Sequence, residues 1–211
     1  MSSTLPVVER FHSLQGEGAH AGRSAFFIRL ASCKVKCSWC DTKNSWSADN
    51  FPHEHVKQIS EDVAQARSNG AAFVVITGGE PLHHNLDPLC DAIRTISNTT
   101  DKVPIPIHLE TSGVDPISGK PNWITLSPKR HAPPRLELIK ACQELKIVIH
   151  EKEDLIFAEN IAKKSRSFKK PLLFLQPGWN NEDGKKLAFE YVRNHPQWRL
   201  SIQAHKWLKV L

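Results

Sequence analysis

Three cysteines fall within eight residues of each other, in the segment SCKVKCSWCDT (residues 32–42). No fourth follows nearby. The spacing is C-x3-C-x2-C, at Cys33, Cys37 and Cys40. Thiolates are soft ligands that suit iron–sulfur clusters or zinc. A structural zinc site or an ordinary cluster takes four protein ligands. Three thiolates on a four-iron cluster leave one iron open to an exogenous molecule. Zinc would need a distant histidine as its fourth ligand, such as His20 or His53 among the 11 histidines. The triple follows an apolar run and has Trp39 before its last cysteine, a far more specific pattern than a lone C-x2-C pair. Cys90 and Cys142 lie on apolar stripes with helical spacing and read as small core residues.

Four more polar motifs stand directly behind short apolar runs. TGGEP (77–81) follows AFVVI, ETSG (110–113) follows PIHL, SPK (127–129) follows WITL, and QPGW (176–179) follows LLFL. The cysteine loop itself follows AFFIRL (25–30). These runs, with LKIVI (145–149), predict six buried strands. Between them lie helical spacings: Val56, Ile59 and Val63 before a stop at Gly70; Leu86, Leu89, Cys90, Ile93 and Ile96; Leu136, Ile139 and Cys142; Leu155, Ile156 and Ile161; and Leu187, Tyr191 and Val192 before His195-Pro196. Strand–helix alternation implies a parallel sheet with helices outside. Each motif then sits at a strand's C-terminal end, the face that carries chemistry in parallel barrels. The 211 residues fall short of the roughly 250 of a closed eight-fold barrel. The expectation is one α/β domain over 1–211, a partial, open (β/α) barrel of about six parallel strands.

Bulk composition narrows the class. Hydrophobic residues make up 40% and charged residues 24%, which fits a packed globular core. No apolar run approaches the roughly 20 residues of a membrane span. The N-terminus lacks the basic and apolar regions of a signal peptide. Five cysteines, three of them clustered, fit a reducing compartment rather than a disulfide framework, so a soluble cytoplasmic protein is expected. The net charge of +6 is scattered in short pairs such as Lys163-Lys164, which favours a solvated basic surface over nucleic-acid binding. An anionic substrate or an acidic protein partner would also be drawn to such a surface.

The cysteine triple with Trp39 resembles the signature of radical S-adenosylmethionine enzymes. That resemblance implies a [4Fe-4S] cluster whose open iron is chelated by the amino and carboxylate groups of S-adenosylmethionine, which one-electron reduction cleaves to a 5′-deoxyadenosyl radical. TGGEP resembles the superfamily's glycine-rich motif, where bare backbone approaches the ligand closely and Glu80 offsets positive charge. SLQGEG (13–18), Arg29 in FFIRL, CDT after the third cysteine, SPK and QP together resemble the 7-carboxy-7-deazaguanine synthase family over nearly the whole chain. The family's radical SAM lyase reaction turns 6-carboxy-5,6,7,8-tetrahydropterin into 7-carboxy-7-deazaguanine and releases ammonia, in deazapurine and queuosine biosynthesis.

The resemblance implies residue roles. Leu14, Gln15 and Gly16 would meet the pterin through the backbone, Thr77 and the carboxylate of Leu211 would also bind it, and Arg29 would pair with its carboxylate. Trp39, Cys40, Asp41, Gly79, Ser127, Pro128, Lys129, Gln176, Pro177, Gly178 and Trp179 would line the S-adenosylmethionine site. Thr42 would be a ligand to Mg²⁺, its alternative being a turn or helix cap. A homodimer and a flavodoxin or ferredoxin electron donor are implied too, with no nucleic acid or membrane. Two departures stand out: the spacing between the first two cysteines is short where some members carry an insertion, and Leu82-His83-His84 follows TGGEP where a glutamine is common. Those histidines read as loop residues, while Glu110 and His205 are open between site and structural roles. Two other functions compete. A glycyl-radical-enzyme activase shares the cysteine spacing, but the motifs SLQGEG and CDT favour a small substrate. A zinc-stabilised nucleic-acid-binding module would use the positive charge, but lacks a second Cys or Cys/His pair at finger spacing.

Overall fold

The structure is a computed structural model that describes residues 3–101 and 103–210. Its strands form one nine-stranded sheet in the order β3-β1-β2-β4-β5-β6-β7-β8-β9. The six strands expected from apolar runs are β2 (Ser24–Leu30), β4 (Phe73–Gly78), β5 (Ile107–Thr111), β6 (Trp123–Leu126), β7 (Glu144–Ile149) and β8 (Leu172–Pro177). They lie side by side and parallel. A short β9 (Trp198–Leu200) extends the parallel run. On the other side, β1 (Thr4–Leu14) pairs antiparallel with β2, and β3 (His53–His55) antiparallel with β1. The ends do not meet, so the sheet is open.

Side chains alternate across the strands. Ile28 and Leu30 of β2, Val74 and Ile76 of β4, Leu145 and Ile147 of β7 and Leu173 and Leu175 of β8 face one way, into a continuous apolar core. That core is closed by helices α1 (Val56–Ser68), α2 (Asp87–Asp101), α3 (Leu136–Ala141), α4 (Lys152–Arg166) and α5 (Glu182–Asn194). Cys90 and Cys142 lie fully inside it, where burial pushes their thiols up to about 12 and about 11. In α4 the expected stripe needs a correction. Ile156 is 64% exposed, and the buried face is Ala158, Ile161, Ala162 and Ser165. Small side chains let this helix lie close to the sheet, and a search for large apolar residues passes over them.

The other face of the sheet is also largely covered, but much of it is polar. Ala25, Phe27, Phe73 and Val75 form a small apolar patch there. Beyond them stand His108, Thr125, Glu144, Lys146 and Gln176, all buried. A sheet face that carries buried ionisable groups is built around a site rather than a core.

Candidate active site

A cavity of about 430 Å³ opens on this polar face at the C-terminal ends of the parallel strands. The strand register sets its floor. Arg29 of β2 lies opposite Thr77 of β4, and Val148 of β7 lies opposite Gln176 of β8. Of the residues singled out from sequence, Leu14, Gln15, Gly16, Arg29 and Thr77 line one side. The three cysteines, Trp39, Asp41, Thr42 and Gly79 line the roof, and Ser127, Lys129 and Gln176 to Trp179 the other side. Pro128 lines an adjoining cavity that shares Trp39 and Lys129. Leu211 lies outside the described residues.

The cysteine loop runs from β2 to a short turn at Lys43–Trp46. Its start is fixed by Ser32 N–H to Ser45 O (2.8 Å) and Cys33 N–H to Trp46 O (3.1 Å). Cys40 N–H donates to Cys37 O at 3.0 Å, and Thr42 N–H points at Cys40 Sγ at 3.4 Å. The Thr42 side chain makes no cap bond to the turn it precedes. Burial pushes the Cys33 and Cys37 thiols up, and the ammonium of Lys129 pulls Cys37 partly back. Lys129 donates to Ser127 Oγ at 2.7 Å and lies 5.3 Å from the Trp39 ring centroid.

The glycine-rich turn is pressed against this loop. Gly79 N–H donates to Leu30 O and Glu80 N–H to Ser32 O, both at 2.8 Å. A Cβ on Gly79 would stand 2.5 Å from Ser32 O and 2.9 Å from Cys33 Cβ. Glu80 is 1% exposed. Its carboxylate accepts from Leu82 N–H (3.2 Å), Ser112 N–H (2.8 Å) and the hydroxyls of Thr111 and Ser112. Its oxygens are thus held inside the chain, by Leu82 and by Thr111 and Ser112 at the end of β5, while the group still lines the cavity.

The opposite side of the cavity is a network of charge. Glu110 accepts from Gln15 Nε2 (2.9 Å) and Thr77 Oγ1 (3.2 Å). Arg29 Nε donates to Glu9 Oε1 at 2.6 Å while its side chain lines the cavity. The backbone after β1 is engaged as well. Gln15 N–H donates to Arg23 O, and Gly16 O accepts from Ala204 N–H of α6 (Ala204–Leu208). Lys206 of α6 pairs with Asp41 of the cysteine loop. His205 lines the cavity, and burial pushes its imidazole down. Glu17 pairs with Lys146, and both line the cavity. Sequence reading missed Glu17, Lys146 and Lys206, whose partners are 129 and 165 residues away.

Three thiols therefore face one cavity, and the other two cysteines are sealed in the core on the far face. Neither histidine considered as a zinc ligand joins them. His20 packs against Phe73, His108 and Trp123, and His53 is exposed on β3. Among the described residues, no three His, Cys, Asp or Glu donors converge on a single metal ion. The donor set suits a larger sulfur-bound body that takes three protein ligands. Residues 14–113 match a family model described as a 4Fe-4S single cluster domain.

Three thiols facing one cavity at the mouth of an open parallel sheet fit the working part of a radical S-adenosylmethionine enzyme, and the chain is a lyase of that class. Its relatives narrow the class further. The 7-carboxy-7-deazaguanine synthase of Prochlorococcus marinus is 56% identical over 225 aligned positions, covering 100% of both chains. That of Synechocystis sp. is 45% identical, covering 100% of this chain and 95% of the relative. The crystal structure of QueE from Escherichia coli matches with a TM-score of 0.81 at 29% identity, over 96% of this chain and 95% of that one. On this full-length likeness, the chain belongs to the 7-carboxy-7-deazaguanine synthase family.

Proposed function

We propose that the chain converts 6-carboxy-5,6,7,8-tetrahydropterin to 7-carboxy-7-deazaguanine with release of ammonia, in deazapurine and queuosine biosynthesis. The observation that carries this reading is the single cavity that joins the three-cysteine loop to the Arg29, Thr77 and Glu110 side. Cys33, Cys37 and Cys40 would hold the cluster, beside the residues that would bind S-adenosylmethionine. Together the cluster and S-adenosylmethionine supply one-electron bond cleavage and hydrogen abstraction when bound.

The chain's own residues bind and orient. Arg29, steadied by Glu9, pairs with the substrate carboxylate through its remaining donors. Glu110, held by Gln15 and Thr77, offers free lone pairs to the N–H-rich edge of a pterin. Leu14, Gln15 and Gly16 complete the substrate side, to which the family resemblance adds a binding role for Leu211. Trp39, Asp41, Gly79, Ser127–Lys129 and Gln176–Trp179 form the S-adenosylmethionine side. Lys129, though burial pulls its ammonium down, favours the thiolate of Cys37 and is itself favoured by it. Thr42 offers its hydroxyl to Mg²⁺, an oxygen-seeking ion that retains several waters and needs few protein ligands. Support for this comes from a hydroxyl that lines the cavity and caps nothing.

The same reading covers residues 1–211 as one radical SAM domain, working in the cytoplasm as a homodimer. Among the described residues no helix is long and apolar enough to cross a membrane. An acidic flavodoxin or ferredoxin would deliver the electron, steered by Lys34 and Lys36, both exposed on the cysteine loop. The test is turnover. Anaerobically reconstituted protein, given dithionite, S-adenosylmethionine and Mg²⁺, should convert the carboxytetrahydropterin to the deazaguanine. A brown, cluster-loaded protein that cleaves S-adenosylmethionine but leaves the pterin unchanged would overturn the substrate assignment.

A further inference from the structure

The cysteine loop holds a shape that its sequence disfavours. Ser32 has φ +81° and Lys36 φ +50°, so two non-glycine residues in the left-handed region enclose Cys33. Such conformations persist only where the surroundings enforce them. Here three imidazoles grip the loop's backbone. His84 Nε2 bonds Ala31 O at 2.8 Å, and His131 Nε2 bonds Val35 O at 3.1 Å. Between them, Lys34 N–H donates to His83 Nε2 at 2.8 Å.

The third contact fixes the chemistry of its ring. A backbone N–H can only donate, so His83 Nε2 must present its lone pair. The ring proton is therefore on Nδ1, and Nδ1 faces the carboxylate of Asp115. The His83 side chain is 8% exposed and that of Asp115 32%. A carboxylate that locks a histidine's tautomer and aim is the same device that orients histidine ligands around metals. In this case the ring's target is an amide next to a cysteine. Asp115 also belongs to the stretch that runs on from the end of β5, where Thr111 and Ser112 hold Glu80. Both neighbours of the cysteine loop are thus anchored to one segment.

We propose that Asp115 and His83 form a positioning pair that holds the Lys34 amide, and through it the Cys33 end of the loop, in the shape that grips the cluster. It rests on the reading of Cys33, Cys37 and Cys40 as cluster ligands. Neither residue is a ligand or a catalytic group. The pair keeps a disfavoured loop preformed, and it diverts the Lys34 N–H from the cluster sulfurs. Hydrogen bonds to those sulfurs are one of the terms that set a cluster's reduction potential.

The experiment measures cluster loss to a chelator, and the cluster's midpoint potential, in anaerobically reconstituted full-length protein. In a glutamine the terminal amide falls where a histidine has Nε2, and in an asparagine it falls where a histidine has Nδ1. His83→Gln therefore keeps an acceptor for Lys34 N–H, whereas His83→Asn keeps only the contact with Asp115. Losing one such bond should speed cluster loss by about three- to tenfold in His83→Asn and in Asp115→Leu. His83→Gln should stay near the wild-type rate. The freed amide should also raise the midpoint potential of His83→Asn above that of His83→Gln. Equal rates and potentials for the asparagine and glutamine variants would overturn the proposal, since packing alone would treat them alike. Should His83→Asn load no cluster while His83→Gln loads fully, the proposal stands on occupancy alone. Wild-type protein that binds zinc and no iron would overturn the underlying cluster reading instead.

Discussion

Glu17 and Lys146 form an ion pair at the wall of the cavity, joining the loop after β1 to the middle of β7. Burial alone would raise the Glu17 carboxyl, but the Lys146 ammonium outweighs it and holds the group down at about 2. Lys146 in turn is held above the usual lysine value against its burial by Glu17, Glu110 and Glu144. One ammonium thus serves three carboxylates. Lys146→Met should cost about 3–5 kcal/mol, the range for a buried charge left without its partner. Adding Glu17→Gln should restore part of that loss. Urea unfolding of the two single variants and the double variant measures it, and strictly additive losses would mean the pair is not coupled.

His108 gives the pH dependence a second origin. Burial, then His20 and Arg23, push its imidazole down to about 3 from the ordinary 6.5. As pH falls below 6.5 the unfolded chain takes up a proton that the folded chain refuses. Stability present above that point is therefore lost progressively between 6.5 and about 3. The Glu17 contribution is full above 4.5 and is lost as pH falls toward about 2. Between pH 6.5 and 4.5 the slope reports the histidines, opposed by Glu144, whose carboxyl burial pushes above the ordinary 4.5. His108→Phe preserves the ring stacked 4.2 Å from Phe73. It should flatten the slope in that window by up to about 1.4 kcal/mol per pH unit, the value of one proton. Parallel stability curves for the variant and wild type would show that His108 titrates normally.

Gly79 is the contact through which the glycine-rich turn shapes the cysteine loop. A methyl group there meets backbone at 2.5 Å, which a flexible side chain cannot relieve. Gly79→Ala should cost about 1–3 kcal/mol from overpacking and should sharply lower iron and sulfide per chain. The control is Gly22→Ala. A Cβ there meets nothing within 4 Å, although φ is +83°, so strain should cost about 1 kcal/mol while cluster content holds. Normal iron in Gly79→Ala would show that the loop can back away.

The six parallel strands were legible because each presents apolar residues to the helices, leaving segments of four to six residues rich in apolar side chains. The edges were not. In β1, Glu9, Arg10 and His12 interrupt the apolar pattern, since this strand carries Arg10–Glu54 and Arg29–Glu9 pairs at the sheet's antiparallel edge. β9 is three residues long with two of them exposed. The cysteine loop and the glycine-rich turn announced themselves by local spacing. Glu17–Lys146, Asp41–Lys206 and Asp115–His83 did not, because each joins segments distant in the chain. Glu144 and Lys146 illustrate the same limit within a strand. Flanked by Leu145 and Ile147, they look like breaks in an apolar run, and only the sheet shows that both lie on its polar face, where Lys146 lines the cavity and Glu144 accepts from Ala19 N–H.

Thr42 is where the proposed magnesium role can be separated from a structural one. Its carbonyl accepts from Ser45 N–H (3.0 Å) and from Ser45 Oγ–H (2.7 Å), so the backbone holds the turn. The hydroxyl contributes no cap and lies 3.7 Å from Cys40 Sγ. Removing it should therefore cost little stability, well below the roughly 1 kcal/mol of a true N-cap. A substrate carboxylate beside it gains one positive charge from Arg29, and Mg²⁺ would add two and fix the carboxylate's geometry. Thr42→Ala should then keep its iron and its melting temperature but require more magnesium and turn over more slowly. Thr42→Ser retains the oxygen and should stay close to wild type. Magnesium titrations of the three proteins at fixed substrate decide the matter. Superimposable curves would place the magnesium ligand at another residue, and a lowered melting temperature in Thr42→Ala would return the hydroxyl to a structural role.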